Sequence, residues 1–212
     1  MNAALLAGAT GLVGREIARG WADPGPLHLL VRRPLAAAPG QVVHVVDFAA
    51  LPALPAADTA FCALGTTIKV AGSQAAFRAV DFDAVLAFAQ AAREAGVRTF
   101  AAVSALGANP RSSNFYSRVK GEAEEALAAL GFESLILARP SLLAGDRHAL
   151  GQPERFGEKL GLAITKPFGP LFPAAWRPIA GATVARALLR AAAAPQPGRQ
   201  VLGSADLQRL GR

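Results

Sequence analysis

Residues 8–14 read Gly8-Ala9-Thr10-Gly11-Leu12-Val13-Gly14. The apolar run 2–7 (NAALLA) leads into them, and a helical pattern from about Val13 to Trp21 follows. Glycines at this spacing suit a strand–turn–helix unit that receives a pyrophosphate. Gly8 permits the tight turn, Gly11 lets the backbone approach a phosphate with no Cβ in the way, and Gly14 lets the helix pack close to the strand. The helix start adds free N–H groups and a partial positive charge. A glycine triplet alone would also describe an ordinary turn; the strand before it and the helix after it favour a dinucleotide loop.

Working outward, short apolar runs recur at 27–31 (LHLLV), 42–46 (VVHVV), 59–64 (TAFCAL), 98–103 (RTFAAV) and 134–138 (SLILA), with a short one at 200–202. Helical patterns lie between them: a long Ala-rich helix from about Ser73 to Ala95 ending before Gly96, one over 115–130 closed by Gly131, and one over 182–194. Alternation of this kind predicts an α/β fold with a single doubly wound parallel sheet, Rossmann-like, whose strands are buried on both faces. The 212 residues suffice for one sizeable core and are too few for two full domains. Residues 145–180 differ, being rich in Gly and Pro with Phe156, Phe168, Phe172 and Trp176. They are expected to form a small C-terminal substrate or lid region, or else a long surface connection.

Hydrophobic residues make up 52% and charged residues 17%, a balance that favours folding over disorder. No apolar run is long enough to suggest a membrane span, and the N-terminus lacks a basic stretch before its apolar residues, so no signal peptide is expected. A single cysteine, Cys62, excludes an internal disulfide and suits a cytoplasmic location. Inside a strand it is expected to be a core residue. His28, His44 and His148 show no ligand spacing, so no metal site is expected. The net charge of +7 would suit nucleic acid, but only four of the 22 basic residues are Lys, and the Arg residues are scattered apart from Arg32-Arg33. Small anionic cofactors fit this charge equally well, and no nucleic-acid or membrane partner is expected.

An NAD site usually places Asp or Glu at the end of the second strand to hold the ribose 2′-hydroxyl. Here that place reads Val31-Arg32-Arg33. A carboxylate would repel a 2′-phosphate, whereas guanidiniums pair with it, so NADP(H) is favoured; otherwise the pair is a solvated strand end. Asp47 ends the third strand with Phe48 beside it, and both are placed in the cofactor site. Asp47 either reaches the adenine edge or is a simple loop carboxylate.

Tyr116-Ser-Arg-Val-Lys120 sets Tyr and Lys on one face of a predicted helix. A phenol is a poor acid–base group at neutral pH, and an ammonium one turn away favours the phenolate. Ser104 follows the fifth strand at the carboxyl edge, where ligands bind in open α/β sheets. Its hydroxyl is expected to hold a carbonyl oxygen beside Tyr116. Chance alone often produces this Tyr–Lys spacing. The order of glycine loop, Ser104, Tyr116 and Lys120 is what gives it weight.

These pieces together resemble a known family. Gly8–Gly14, Arg32-Arg33, Cys62-Ala-Leu-Gly-Thr-Thr67, Val80-Asp81, Ser104-Ala-Leu-Gly-Ala108, Tyr116-Ser-Arg-Val-Lys-Gly-Glu122 and Arg139-Pro-Ser-Leu-Leu143 cover about residues 2–145 in order, and Arg177-Pro-Ile179 extends the likeness. The chain resembles atypical, NAD(P)-binding short-chain dehydrogenases/reductases, most of all the Tat-interacting-protein oxidoreductase group and its bacterial relatives. The resemblance implies that Gly8, Thr10, Gly11, Leu12, Val13 and Gly14 line the dinucleotide, and that Ala63, Leu64, Gly65 and Thr66 lie along the ribose beside the nicotinamide. It implies Tyr116 as the acid–base residue, Lys120 on the nicotinamide ribose and tuning Tyr116, Ser104 orienting the substrate oxygen, and Pro140 and Leu142 flanking the nicotinamide. Two features depart from the family's better-known branch. Leu-Gly-Thr-Thr replaces an Asn-Ala-Gly turn after the fourth strand. The Asn that some members use in proton relay has no clear counterpart, although Asp81 stands in that neighbourhood.

The expected function is an NADP(H)-dependent oxidoreductase acting on a small carbonyl or alcohol substrate. One alternative is an NADPH-binding sensor or regulator with little turnover. Another is a nucleotide-sugar epimerase or dehydratase, for which about 70 residues after Arg139-Pro140 make a short sugar-binding part. Oligomeric state is left open.

Overall fold

The computed structural model describes residues 3–144 and 177–212. The first strand, β1 (Ala4–Ala7), is buried on both faces. It is followed by α1 (Gly14–Gly20), β2 (Leu27–Val31), β3 (Gln41–Val45) and β4 (Thr59–Cys62). Then come α2 (Ile68–Ala71), α3 (Gln74–Arg78), a π-turn over Ala79–Asp83, α4 (Ala84–Glu94), β5 (Thr99–Val103), α5 (Phe115–Ala129) and β6 (Ser134–Arg139). Beyond these lie β7 (Leu143–Ala144), β8 (Ile179–Ala180), α6 (Gly181–Ala193), β9 (Gly198–Gly203) and α7 (Ser204–Leu210).

Seven strands form one parallel sheet in the order β3-β2-β1-β4-β5-β6-β9, which is the expected doubly wound, Rossmann-like arrangement. The order reverses between β1 and β4, and in open α/β sheets ligands bind outside the carboxyl ends of the strands at such a switch point. Side chains alternate across the strands. Ala4 and Leu6 of β1 join Ile17, Val184, Leu188 and Leu207 of α1, α6 and α7 on one face. Leu5 and Ala7 join Phe88, Ala89, Ala92 and Leu127 of α4 and α5 on the other, with Phe48 and Ala57 from the β3–β4 connection. Two apolar layers, one per face, explain why the strands read as unbroken apolar runs.

The helix expected over 73–95 is not continuous. Ser73 caps α3 through its hydroxyl, which accepts from the Ala76 N–H, but five residues then widen into the π-turn before α4 resumes. Asp81, inside this turn, is fully buried. The helix ends as expected at Gly96, whose φ is +90°. The short run at 200–202 extends to a six-residue strand paired with β6. The small elements α2, β7, β8 and α7 went unread because four or fewer residues, or a last single turn or two, carry little periodicity. β7 and β8 pair side by side, so the chain leaves residue 144 and returns near residue 178 at neighbouring positions. The lid expected over 145–180 falls mainly on residues 145–176, which lie outside the described residues.

Gly121, in the middle of α5, lets that helix lie directly on the backbone of Asn109 and Pro110; a Cβ there would overlap both. Gly121→Ala is expected to cost about 1–3 kcal/mol, seen as a lower urea midpoint with an unchanged m-value.

Candidate functional site

Many of the expected site residues lie at the carboxyl edge of the sheet, because they follow parallel strands. Gly8 follows β1, Arg32 and Arg33 follow β2, Asp47 follows β3, Ala63 follows β4, Ser104 follows β5 and Pro140 follows β6. At the switch point the backbones nearly touch. Gly8 has φ +89°, and a Cβ on it would lie 2.5 Å from the Ala63 carbonyl group. Gly14 is as crowded, with a Cβ there overlapping the Gly8 carbonyl, whereas one at Gly11 would meet nothing closer than 3.4 Å. The first and third glycines are therefore demanded by packing, whereas a Cβ on the second would make only ordinary contact with the Gly8 and Ala63 carbonyls. No side chain caps α1. This loop fits a dinucleotide pyrophosphate. Thr10 lies exposed in it, with Leu12 and Val13 buried beneath.

Arg32 and Arg33 are both exposed at the end of β2, and no other described residue engages either guanidinium. Asp47 is exposed too and its carboxylate accepts the Ala49 N–H, a local turn contact; Phe48 is buried in the core. The loop after β4 is held by Ala63 N–H donating to the Ala7 carbonyl. Leu64 and Thr66 are half-buried there and Gly65 is exposed. Pro140 is buried, and its carbonyl accepts the Leu106 N–H; Leu142 is half-buried, and its carbonyl accepts the Ile179 N–H.

Tyr116, Lys120 and Glu124 lie one turn apart on a single face of α5 and descend from the site's edge into the core. The Tyr116 ring, half-exposed, packs on Phe77 of α3 with centroids 5.4 Å apart. Lys120 is buried, and its Nζ lies 2.7 Å from Asp81 Oδ1. The other carboxylate oxygen, Oδ2, accepts the Thr66 N–H at 2.8 Å. Burial opposes the charge on Lys120, but the Asp81 carboxylate, with Tyr116 and Cys62 adding to it, outweighs burial and leaves the ammonium above the ordinary lysine range. Burial pushes the Cys62 thiol up to about 12, as befits a core residue.

Glu124 anchors a second buried cluster. It accepts from the Ser104 hydroxyl at 2.5 Å, pairs through both oxygens with Arg139 of β6, and meets Arg199 of β9 at 2.8 Å. The hydrogen bonds to Glu124 outweigh burial and raise the Arg139 pKa. Ser104 thus sits where a strand-five serine was expected, but its proton points inward to Glu124. Sequence reasoning left Asp81 without a role and missed Glu124 and Arg199. The readable signal for Glu124 was its place eight residues after Tyr116, on the face that carries Val119, Ala123 and Leu127 into the core. His28 and His44, far apart in sequence, meet across β2 and β3 with ring nitrogens 2.9 Å apart; burial and the neighbouring imidazole lower the pKa of His28.

Residues 8–166 match the family model described as NAD(P)H-binding. The chain belongs to this NAD(P)H-binding family. It is 32% identical to the mitochondrial protein FMP52 of Debaryomyces hansenii, over 98% of this chain and 97% of that one. It is 39% identical to protein HTATIP2 of Rattus norvegicus, over 75% of this chain and 65% of that one. The Tat-interacting-protein resemblance is thereby borne out. Among solved structures, MoeE5 in complex with UDP-glucose and NAD shares the fold with a TM-score of 0.72 at 18% identity, covering 95% of this chain and 75% of that one. The expectation of a cytoplasmic location does not stand, because the FMP52 relatives of this NAD(P)H-binding chain are named as mitochondrial. A lone reduced cysteine does not separate one reducing compartment from another.

Glu124→Gln keeps the shape of the buried cluster and removes its charge, leaving two guanidiniums without a counterion. Arg139 and Arg199 are partly solvated, at 29% and 38% exposure, so the expected loss is about 1–3 kcal/mol in urea unfolding, below that of a fully buried pair.

Proposed function

We propose that this NAD(P)H-binding chain is an NADP(H)-dependent oxidoreductase acting on a small carbonyl or alcohol. The observation that carries the reading is the half-exposed Tyr116 phenol standing one helical turn above a buried, charged Lys120 at the carboxyl edge of a dinucleotide-binding sheet. Gly8, Thr10, Gly11, Leu12, Val13 and Gly14 would hold the pyrophosphate, and Ala63, Leu64, Gly65 and Thr66 would line the ribose. Pro140 and Leu142 would flank the nicotinamide. Arg32 and Arg33, exposed where an NAD site carries an acid, would pair with a 2′-phosphate, with Asp47 toward the adenine, while Phe48 is taken up by the core instead.

The nicotinamide, when bound, supplies or accepts the hydride. Tyr116 would give its phenolic proton to the substrate oxygen in reduction and take it back in oxidation. Lys120 would meet the nicotinamide ribose from below. Ser104 would hold the substrate oxygen by turning its hydroxyl away from Glu124, a hydrogen bond it must first give up.

Calorimetric titration should show NADPH bound at least about tenfold tighter than NADH, a difference of about 1.4 kcal/mol. Arg32→Ala with Arg33→Ala should remove most of that gap, and equal wild-type affinities would refute the assignment. On a carbonyl panel followed by NADPH absorbance, Tyr116→Phe should lower kcat by roughly 10²–10⁴ while leaving NADPH affinity within a few-fold. Tight NADPH binding with no turnover across the panel would instead favour a cofactor sensor.

A further inference from the structure

Asp81 is fully buried, carries no exposed edge, and sits at the only π-turn among the described helices. Its two oxygens serve two different elements. Oδ1 meets Lys120 of α5, and Oδ2 accepts the N–H of Thr66 in the loop after β4. A Cβ on Gly65 would lie 3.3 Å from Asp81 Oδ1 and 3.6 Å from Lys120 Nζ, so the ion pair lies directly under that glycine. The outer side of the same turn is tied down as well: the Arg78 guanidinium stacks 4.2 Å over the Phe82 ring and pairs with Glu122 of α5. A fully buried carboxylate held from both sides is a poor choice for stability alone, since a buried ion pair scarcely outweighs its desolvation. π-turns recur at functional sites.

We propose that Asp81 is the positioning residue of the cofactor site, holding Lys120 charged and fixed beneath Gly65 and tying the Ala63–Thr66 loop to the same point. The proposal rests on the reading of Lys120 as the residue that meets the dinucleotide. Every group facing Lys120 bears on its charge. Asp81 comes from the π-turn, the Tyr116 phenol from its own helix and the Cys62 thiol from β4. Ser104 and Glu124 line the same small pocket as Lys120 and Asp81. Glu124 is already matched by Arg139 and Arg199, and Ser104 and Cys62 are neutral, which leaves Asp81 as the counter-charge of Lys120.

Asp81→Asn is the informative variant. It keeps an oxygen for the Thr66 N–H and removes only the charge. Without that charge, burial disfavours the ammonium and Lys120 should titrate well below its free value. The chain has four lysines, so ¹³Cε resonances of labelled lysine resolve this directly, with or without cofactor. Wild-type Lys120 should stay charged past the ordinary lysine range, and in Asp81→Asn it should lose its proton below that range.

The linkage has opposite signs in the two proteins. In wild type, the folded-state pKa is raised, so the Lys120 contribution to stability is present at neutral pH and lost only as pH rises above the unfolded value. In Asp81→Asn the folded pKa is lowered, so the unfolded state binds the extra proton and stability should rise with pH up to the unfolded value.

Calorimetry of NADPH binding completes the test. Affinity in Asp81→Asn should fall as pH rises while wild type changes little. Asp81→Asn combined with Lys120→Met should bind no worse than Lys120→Met alone. A Lys120 resonance that titrates alike in wild type and Asp81→Asn, or losses that simply add in the double variant at every pH, would overturn the proposal and leave Asp81 a structural residue. Wild-type protein that binds neither NADPH nor NADH would defeat the cofactor reading instead, and the lysine titration would still decide whether Asp81 governs Lys120.

Discussion

The backbone of residue 8 lies against the backbone of residue 63, and no side-chain atom fits between them. That contact joins β1 to β4 at the place where the strand order reverses. Gly8 meets it with a positive φ, and Gly14 lets α1 start directly over the Gly8 carbonyl. Only then do the loop after β1 and the loop after β4 lie side by side at the carboxyl edge.

From the carboxyl edge of the sheet, α5 carries polar side chains inward in steps of one turn. Tyr116 stays at the edge, Lys120 is buried against Asp81, and Glu124 is buried against Ser104, Arg139 and Arg199. Each buried charge is matched, as it must be where water is excluded. Glu124 ties β5, β6 and β9 to the helix, while Asp81 ties the β4 loop to it. The edge that carries Tyr116 is thus supported by two ionic anchors, Asp81 under the loop after β4 and Glu124 under the far half of the sheet.

The comparisons with known proteins fit this architecture at two levels. Similarity along nearly the whole chain to an FMP52 protein establishes the NAD(P)H-binding family. Likeness to MoeE5 at 18% identity concerns the fold alone, which many chemistries share. Compartment is a matter on which a single cysteine was a poor guide.

Much of this protein was legible along the chain, because its information is local. Gly8, Gly11 and Gly14 stand in one turn, the apolar strands are buried on both faces, Gly96 ends its helix, and Tyr116 and Lys120 share a helical face by spacing alone. Those features follow from periodicity and backbone freedom, which a sequence displays directly. The tertiary structure decided what those side chains meet. Lys120 is paired with Asp81 from a turn nearly forty residues earlier, and the Ser104 proton goes to Glu124. Arg199 reaches the same carboxylate from the last strand, and His28 finds His44. Burial makes each charge seek whichever partner the packed elements bring within reach, and that proximity is set by the winding of the sheet rather than by distance along the chain.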